Sequence, residues 1–381
     1  MRAAWVRVAM AAVLVTLLLV LGVSASHDVD PSPRRAPKVV EHSELPGVTN
    51  IYAHDGVGML TGAAINALPR VYVPNSEETS VDVIDPQTMR VVDHFAVGRN
   101  PQHVVPAWDL TRLYVTNDLS NSLTPIDPTT GKVAGADIPV DDPYNMYFTP
   151  DGSSAIVVAE RLRRLDFRDP HTFAMQKSLP VACRGVDHID FAADGSYLLA
   201  TCEFSGELVK VDLKKRDVVG YLKIGGQPQD IKLDPAGRVF YVADMMAGGV
   251  HEIDGDAFTK IGFLATGPEA HGLYPSRDDS VMYVSNRGGR GDHGSVSVVD
   301  FATRRVIANW PIPGHGTPDM GNVSADGKEL WLSGRRSSAV YVFNTTTGAL
   351  IARIRVGKGP HGLCVWPQPG RYSLGHTGIL R

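Results

Sequence analysis

The chain has 381 residues and a net charge of −4 at neutral pH, so it carries no basic footprint for nucleic acid. That length exceeds one ordinary compact core and points to a repeat fold or to several domains. With 38 glycines, 26 prolines and 20% charged residues, and no long helical periodicity, the body reads as short strands punctuated by turns.

At the N-terminus, Arg2 and Arg7 flank the start of an apolar run from Val8 to Val23. Val23 and Ala25 then supply the small residues of a cleavage site, the pattern of a secretory signal. The run is short of the roughly 20 residues that cross a bilayer comfortably. Cleavage after Ala25 is expected, with residues 1–25 kept as an uncleaved membrane anchor as the alternative. Residues 26–47 are polar and Pro-rich and read as a flexible spacer. The folded body is expected over 48–381.

From residue 100 onward the chain repeats itself. "NPQHVVPAWDLTRLYVTNDLSNSLTPID", "DPYNMYFTPDGSSAIVVAERLRRLDF", "GVDHIDFAADGSYLLATCEFSGELVKVD" and "QPQDIKLDPAGRVFYVADMMAGGVHEID" share one plan, and two further units follow. Equivalent positions fall at His103, Asn145, His188, Asp230, His271 and Met320, about 42 residues apart. Four short strands per unit at that period indicate propeller blades. Val71–Gly98 supplies three strands of a blade that lacks its inner strand, whereas "HGLCVW" (His361–Trp366) is an inner strand with no blade after it. Pairing the two closes a seven-bladed, all-β ring of four-stranded antiparallel blades, and Asn50–Leu60 is expected to add to the seam.

"LYVTND", "FYVADM" and "MYVSNR", with the turns "TPDG", "DPAG" and "SADG", resemble the YVTN-repeat β-propeller family over roughly Val48 to Pro369. The resemblance implies the propeller fold. It leaves function open, because the family includes binding proteins, surface-layer proteins and propellers similar to the haem d1 domain of nitrite reductase.

In such a ring the first residues of the inner strands open onto one mouth of the axial channel. The repeat places His103, Asn145, His188, Asp230, His271, Met320 and His361 there, with Asp319 beside Met320. The ends of the second strands add Glu160, Glu203, Asp244 and Asn286, with Arg287 and Arg335 just after. Three readings stay open. His103, His188, His271 and His361 are candidate metal ligands, and imidazoles with carboxylate support suit Cu, Fe or Zn. The same mouth suits a polar small molecule or a peptide. Or its polar groups simply bind water.

Cys183 and Cys202 lie at the same end of one predicted hairpin, so a disulfide is expected if the Cα atoms come within about 7 Å. Cys364, inside the closing strand, is expected as a buried thiol. No Gly-x-Ser-x-Gly elbow, no His-Glu-x-x-His pair and no Cys-x-x-Cys-His haem attachment occurs.

These features suggest an exported, monomeric propeller that uses its histidine-lined mouth to bind an unidentified small molecule, metal or extracytoplasmic protein. Contact with a membrane is expected only through an uncleaved N-terminal segment. The alternative is a metal-dependent oxidoreductase or lyase with axial histidine ligands.

Overall fold

Strong alternation of apolar residues, cut every five to seven positions by Asp/Gly/Asn turns, folds each repeat into an antiparallel meander. The computed structural model describes residues 50–381, so the signal segment and the spacer lie outside the described residues. Among the described residues no helix is long and apolar enough to cross a membrane.

Seven sheets form the ring. Blade 1 contains Arg70–Asn75, Ser80–Asp85 and Arg90–Ala96. Its inner strand is Cys364–Trp366, which pairs antiparallel with it through Arg70↔Trp366, Val71↔Val365 and Tyr72↔Cys364. The closure expected from the sequence is therefore present. Blades 2 to 7 start with the inner strands Pro101–Pro106, Pro143–Phe148, Val186–Phe191, Pro228–Leu233, Ala270–Pro275 and Pro318–Val323. In blade 2 the outermost strand is broken into Lys132–Val133 and Ile138–Pro139, both pairing the third strand.

Inner and second strands are buried on both faces because each sheet is sandwiched between two others. Outermost strands such as Arg305–Pro311 are largely exposed. The apolar layers therefore lie between blades. One joins Trp331, Val340 and Val342 of blade 7 to Val71, Val73 and Val365 of blade 1. Another packs Trp366 and Cys364 against Val104, Leu113 and Val115 of blade 2.

Both ends of the described chain reach the axis or its far side. Asn50–Leu60 runs past the ends of inner strands, with the Tyr52 hydroxyl donating to the Leu233 carbonyl at 2.8 Å and Leu60 bridging Gly370. The residues after Trp366 do more. Gly370–Arg381 folds back across the inner strands: the Phe148 amide donates to Leu374, the His376 amide to Met146, and the Thr377 hydroxyl to Gly321. Leu374, His376, Thr377 and Leu380 are all buried. This tail plugs one end of the axis, which the repeat pattern did not foretell.

Candidate functional site

A β-bulge in each of five inner strands builds the site. Register shifts fall between Pro101 and Val104, Val186 and Ile189, Pro228 and Ile231, Ala270 and Leu273, and Pro318 and Gly321. A bulge sets two consecutive residues opposite one and re-aims them. The amide left unpaired is taken by a hydroxyl of the second strand: Thr116 serves His103, Thr201 serves His188, Ser285 serves Gly272 and Ser333 serves Met320. Those hydroxyls are the third residue of the "YVTN"-like motif, so the motif carries the support for the channel-facing kink.

The channel accordingly has two tiers of side chains per bulge. Gln102, Asp187, Gln229, His271 and Asp319 occupy the first bulge position and His103, His188, Asp230, Gly272 and Met320 the second; His361 and Gly362 take the equivalent places ahead of Cys364–Trp366. Equal spacing in sequence put His271 and His361 level with His103, whereas they stand one residue nearer the mouth. Both tiers face the axis, so the imidazoles meet all the same. The repeated His-Gly pair has a steric reason: a Cβ on Gly362 would overlap the His103 ring, and one on Gly272 would crowd the Asp319 carbonyl at 2.8 Å.

Five histidines converge. Ring centroids lie 4.9 Å apart for His103 and His361, 5.7 Å for His103 and His188, 6.3 Å for His188 and His271, and 5.8 Å for His271 and His361. The fifth, His376 at the tip of the C-terminal tail, sits 5.1 Å from both His103 and His188. It was missed because it belongs to no repeat. The only sequence signal was a Gly-punctuated apolar segment, "YSLGHTGIL", beyond the last strand. His103, His188 and His376 bring ligand atoms within 4.8 Å of one another.

Their protons are placed by their partners. His103 Nδ1 donates to the Tyr144 carbonyl at 2.9 Å and His361 Nδ1 to Asp319 at 2.7 Å, which leaves each Nε2 as a lone pair. His271 Nε2 instead accepts from Arg287 at 2.7 Å. Asp319 is the hub, taking Arg287 Nε at 2.8 Å as well as His361. Burial alone would raise its carboxyl, but the Arg287 guanidinium, backed by His271 and His361, holds it well below the ordinary range. Burial also pushes His103, His271 and His376 well down and His361 to about 4, so all four are neutral.

Asp230 does not offer a free carboxylate. It binds Lys232 Nζ and the amides of Ile231 and Leu273, each at 2.9 Å, and so ties blade 5 to blade 6. Asn145 accepts from the Met146 amide and donates to Tyr147 and His376, which places it under the imidazoles as a support.

The mouth is electrically divided. Residues just after the second strands give Glu160 and Glu203 on one side and Arg287 and Arg335 on the other. Burial, then the carboxylates Asp187 and Glu203, push Glu160 to about 8. Burial and Asp187 push Glu203 to about 7 against the pull of Arg287. Arg335 is felt across the same space, as a cation that lowers His361.

Two expected mouth residues turn away. Asn286 donates to Ser295 and Ser297, and Asp244 accepts from His251 and the amides of Gln227 and Ala247. The fourth position of the motif locks second and third strands of its own blade, so neither residue reaches the channel. The same position explains the disulfide. At Gly98, Gly267 and Gly357 a Cβ would meet Asn117, Asn286 and Asn75 within 2.6 to 2.8 Å. In blade 4 this glycine–asparagine contact is replaced by the bonded pair Cys183–Cys202, with Cα atoms 6.0 Å apart. Cys364 is a buried free thiol whose pKa burial raises.

Known structures share the architecture. Hydrazine synthase from Kuenenia stuttgartiensis superposes with a TM-score of 0.63 at 19% identity, over 81% of this chain and 99% of that one. Dihydro-haem d1 dehydrogenase NirN, solved in complex with DHE, gives 0.61 at 16% identity, over 88% and 83%. A functionally unknown protein from Desulfotomaculum acetoxidans gives 0.65 at 14% identity, over 78% and 99%. At these identities the likeness is one of fold. No curated protein matches the sequence. Residues 52–369 match the YNCE-like beta-propeller family from one flank of the ring to the other, and the chain belongs to that family.

Proposed function

We propose that the protein is an exported binding module that takes one small ligand into its axial pocket, entered at the Glu160/Arg287 mouth and floored by the C-terminal tail. One observation carries this reading. The Nε2 atoms of His188, His103 and His361 are buried without a hydrogen-bond partner among the described residues. Buried polar groups are almost always satisfied. Several such groups converging on one spot mark the place of a missing partner. Export is supported by the signal-like residues 1–25 and by the Cys183–Cys202 bond, which suits an oxidising compartment.

The test is a thermal-shift panel on untagged protein, with divalent transition metals, inorganic oxyanions and small zwitterions as probes. A probe that binds in the pocket raises Tm in the wild type and not in His188→Leu. If every shift survives that substitution, the pocket is not the site.

A second reading, a metal-dependent oxidoreductase or lyase, is favoured by the Glu160–Glu203 pair. Carboxyls held near neutrality at a mouth are suited to moving protons. It predicts turnover that Glu203→Gln abolishes while ligand binding persists.

A further inference from the structure

We infer that His103, His188 and His376 form a transition-metal site whose third ligand is delivered by the C-terminal tail. This rests on the pocket reading and names its occupant. The ligand atoms lie within 4.8 Å of one another, and all three side chains are fully buried. They come from three separate elements: the inner strands of blades 2 and 4 and the Gly370–Arg381 tail. Zn–N bonds of about 2.0–2.1 Å require tetrahedral nitrogens ~3.3 Å apart, so the rings close by roughly 1.5 Å at most on binding.

The donor set decides the class of ion. Imidazole nitrogens without a directly coordinating carboxylate suit copper or zinc and disfavour magnesium and calcium. His103 is already prepared, because Tyr144 takes its Nδ1 proton and leaves Nε2 bare. His361 adds a fourth bare Nε2 one position nearer the mouth, its ring 4.9 Å from that of His103. His271 is excluded, since its Nε2 is occupied by Arg287. Asp187, 3.5 Å from His188 Nδ1, is the outer support of that ring, whereas Asn145 lies 2.9 Å from His376 Nδ1.

Asn145 also sets a condition. Its Oδ1 accepts from the Met146 amide, so Nδ2 is the group that donates to His376. The free protein therefore keeps the His376 proton on Nε2. An ion at Nε2 sends that proton to Nδ1, which then needs an acceptor where Asn145 presents a donor. An aspartate at 145 would supply that acceptor.

The experiment is competition titration of the untagged full chain with Zn²⁺ against a chromophoric chelator, with Co²⁺ absorption as the report on coordination. One ion per chain is expected. His103→Ala, His188→Ala and His376→Gln each weaken it about 100-fold or more, His171→Ala, at an exposed imidazole outside the site, leaves it unchanged, and Asn145→Asp tightens it about 10-fold. His376→Gln keeps a side chain of similar reach on the tail, and unchanged thermal unfolding of the metal-free variant shows that the tail is still seated. Zn²⁺ affinity unchanged in His376→Gln, or weakened in Asn145→Asp, overturns the site. If no ion binds but an oxyanion or zwitterion still shifts Tm in a His188-dependent way, the metal assignment falls and the pocket stands. If nothing binds, both fall.

Discussion

His361 donates its Nδ1 proton to Asp319 across 2.7 Å, and the same carboxylate binds Arg287, so two blades and a cation are tied at one buried point. Asp319→Asn would leave the Arg287 guanidinium buried without its counter-charge. Breaking one partner of such a pair costs about 3–5 kcal/mol, and chemical unfolding of the variant should show a loss of that size. The direction with pH follows from the depressed carboxyl. Its stabilisation is present above the ordinary aspartate range and is lost only as pH falls through the still lower folded value. Wild type and variant should therefore converge only in strong acid.

Glu160 behaves in the opposite sense. Its folded pKa of about 8 lies above the ordinary 4.5. Stability is thus greatest below the ordinary value and declines as pH rises toward 8. Glu160→Gln removes the decline. Partial exposure screens the effect, and a gain of roughly 2 kcal/mol is expected at pH 8.5, seen as a Tm rise of about 3–6 °C. At pH 4 the two proteins should melt together.

The Cys183–Cys202 bond closes a loop with a sequence separation of 19. Loop-closure entropy assigns it about 3 kcal/mol. Cys183→Ala/Cys202→Ala should lower unfolding stability by about 2–4 kcal/mol. Reductant should bring the wild type toward the variant and leave the variant unchanged. An equal response of both proteins would show that the bond does not form in solution.

Gly362 meets the His103 ring where a side chain would stand. Gly362→Ala should displace that imidazole and cost roughly 1–3 kcal/mol as overpacking. Ligand binding in the pocket should weaken together with stability. The matching change at Gly220, where a Cβ would meet nothing nearer than Phe258 at 3.9 Å, should leave binding untouched.

The ring was legible because its information is periodic: six units recur about 42 residues apart, and the blade at Val71–Gly98 lacks a strand that only His361–Trp366 can supply. The gathering of His103, His188, His271 and His361 on the axis follows from that ring. Their relative heights did not, because a bulge turns two successive residues inward and repeat spacing alone cannot tell which of them carries the imidazole. Asp244 and Asn286 were assigned to the mouth on position, yet hydrogen bonds to their own blades claim them. His376 could not be read at all. A residue outside the repeat has no equivalent position to place it, and its location depends on how "YSLGHTGIL" crosses inner strands such as those of blades 3 and 7.

The segment from His361 to Arg381 completes the ring and also covers one end of the axis, although Arg70 and Trp366 are about 300 residues apart in sequence. Contacts that distant form late, since the chain between them must already be ordered. His361 and His376 therefore join His103, His188 and His271 only when that segment is seated. A ligand that binds only the closed circle lengthens the lifetime of the finished molecule by slowing its reopening.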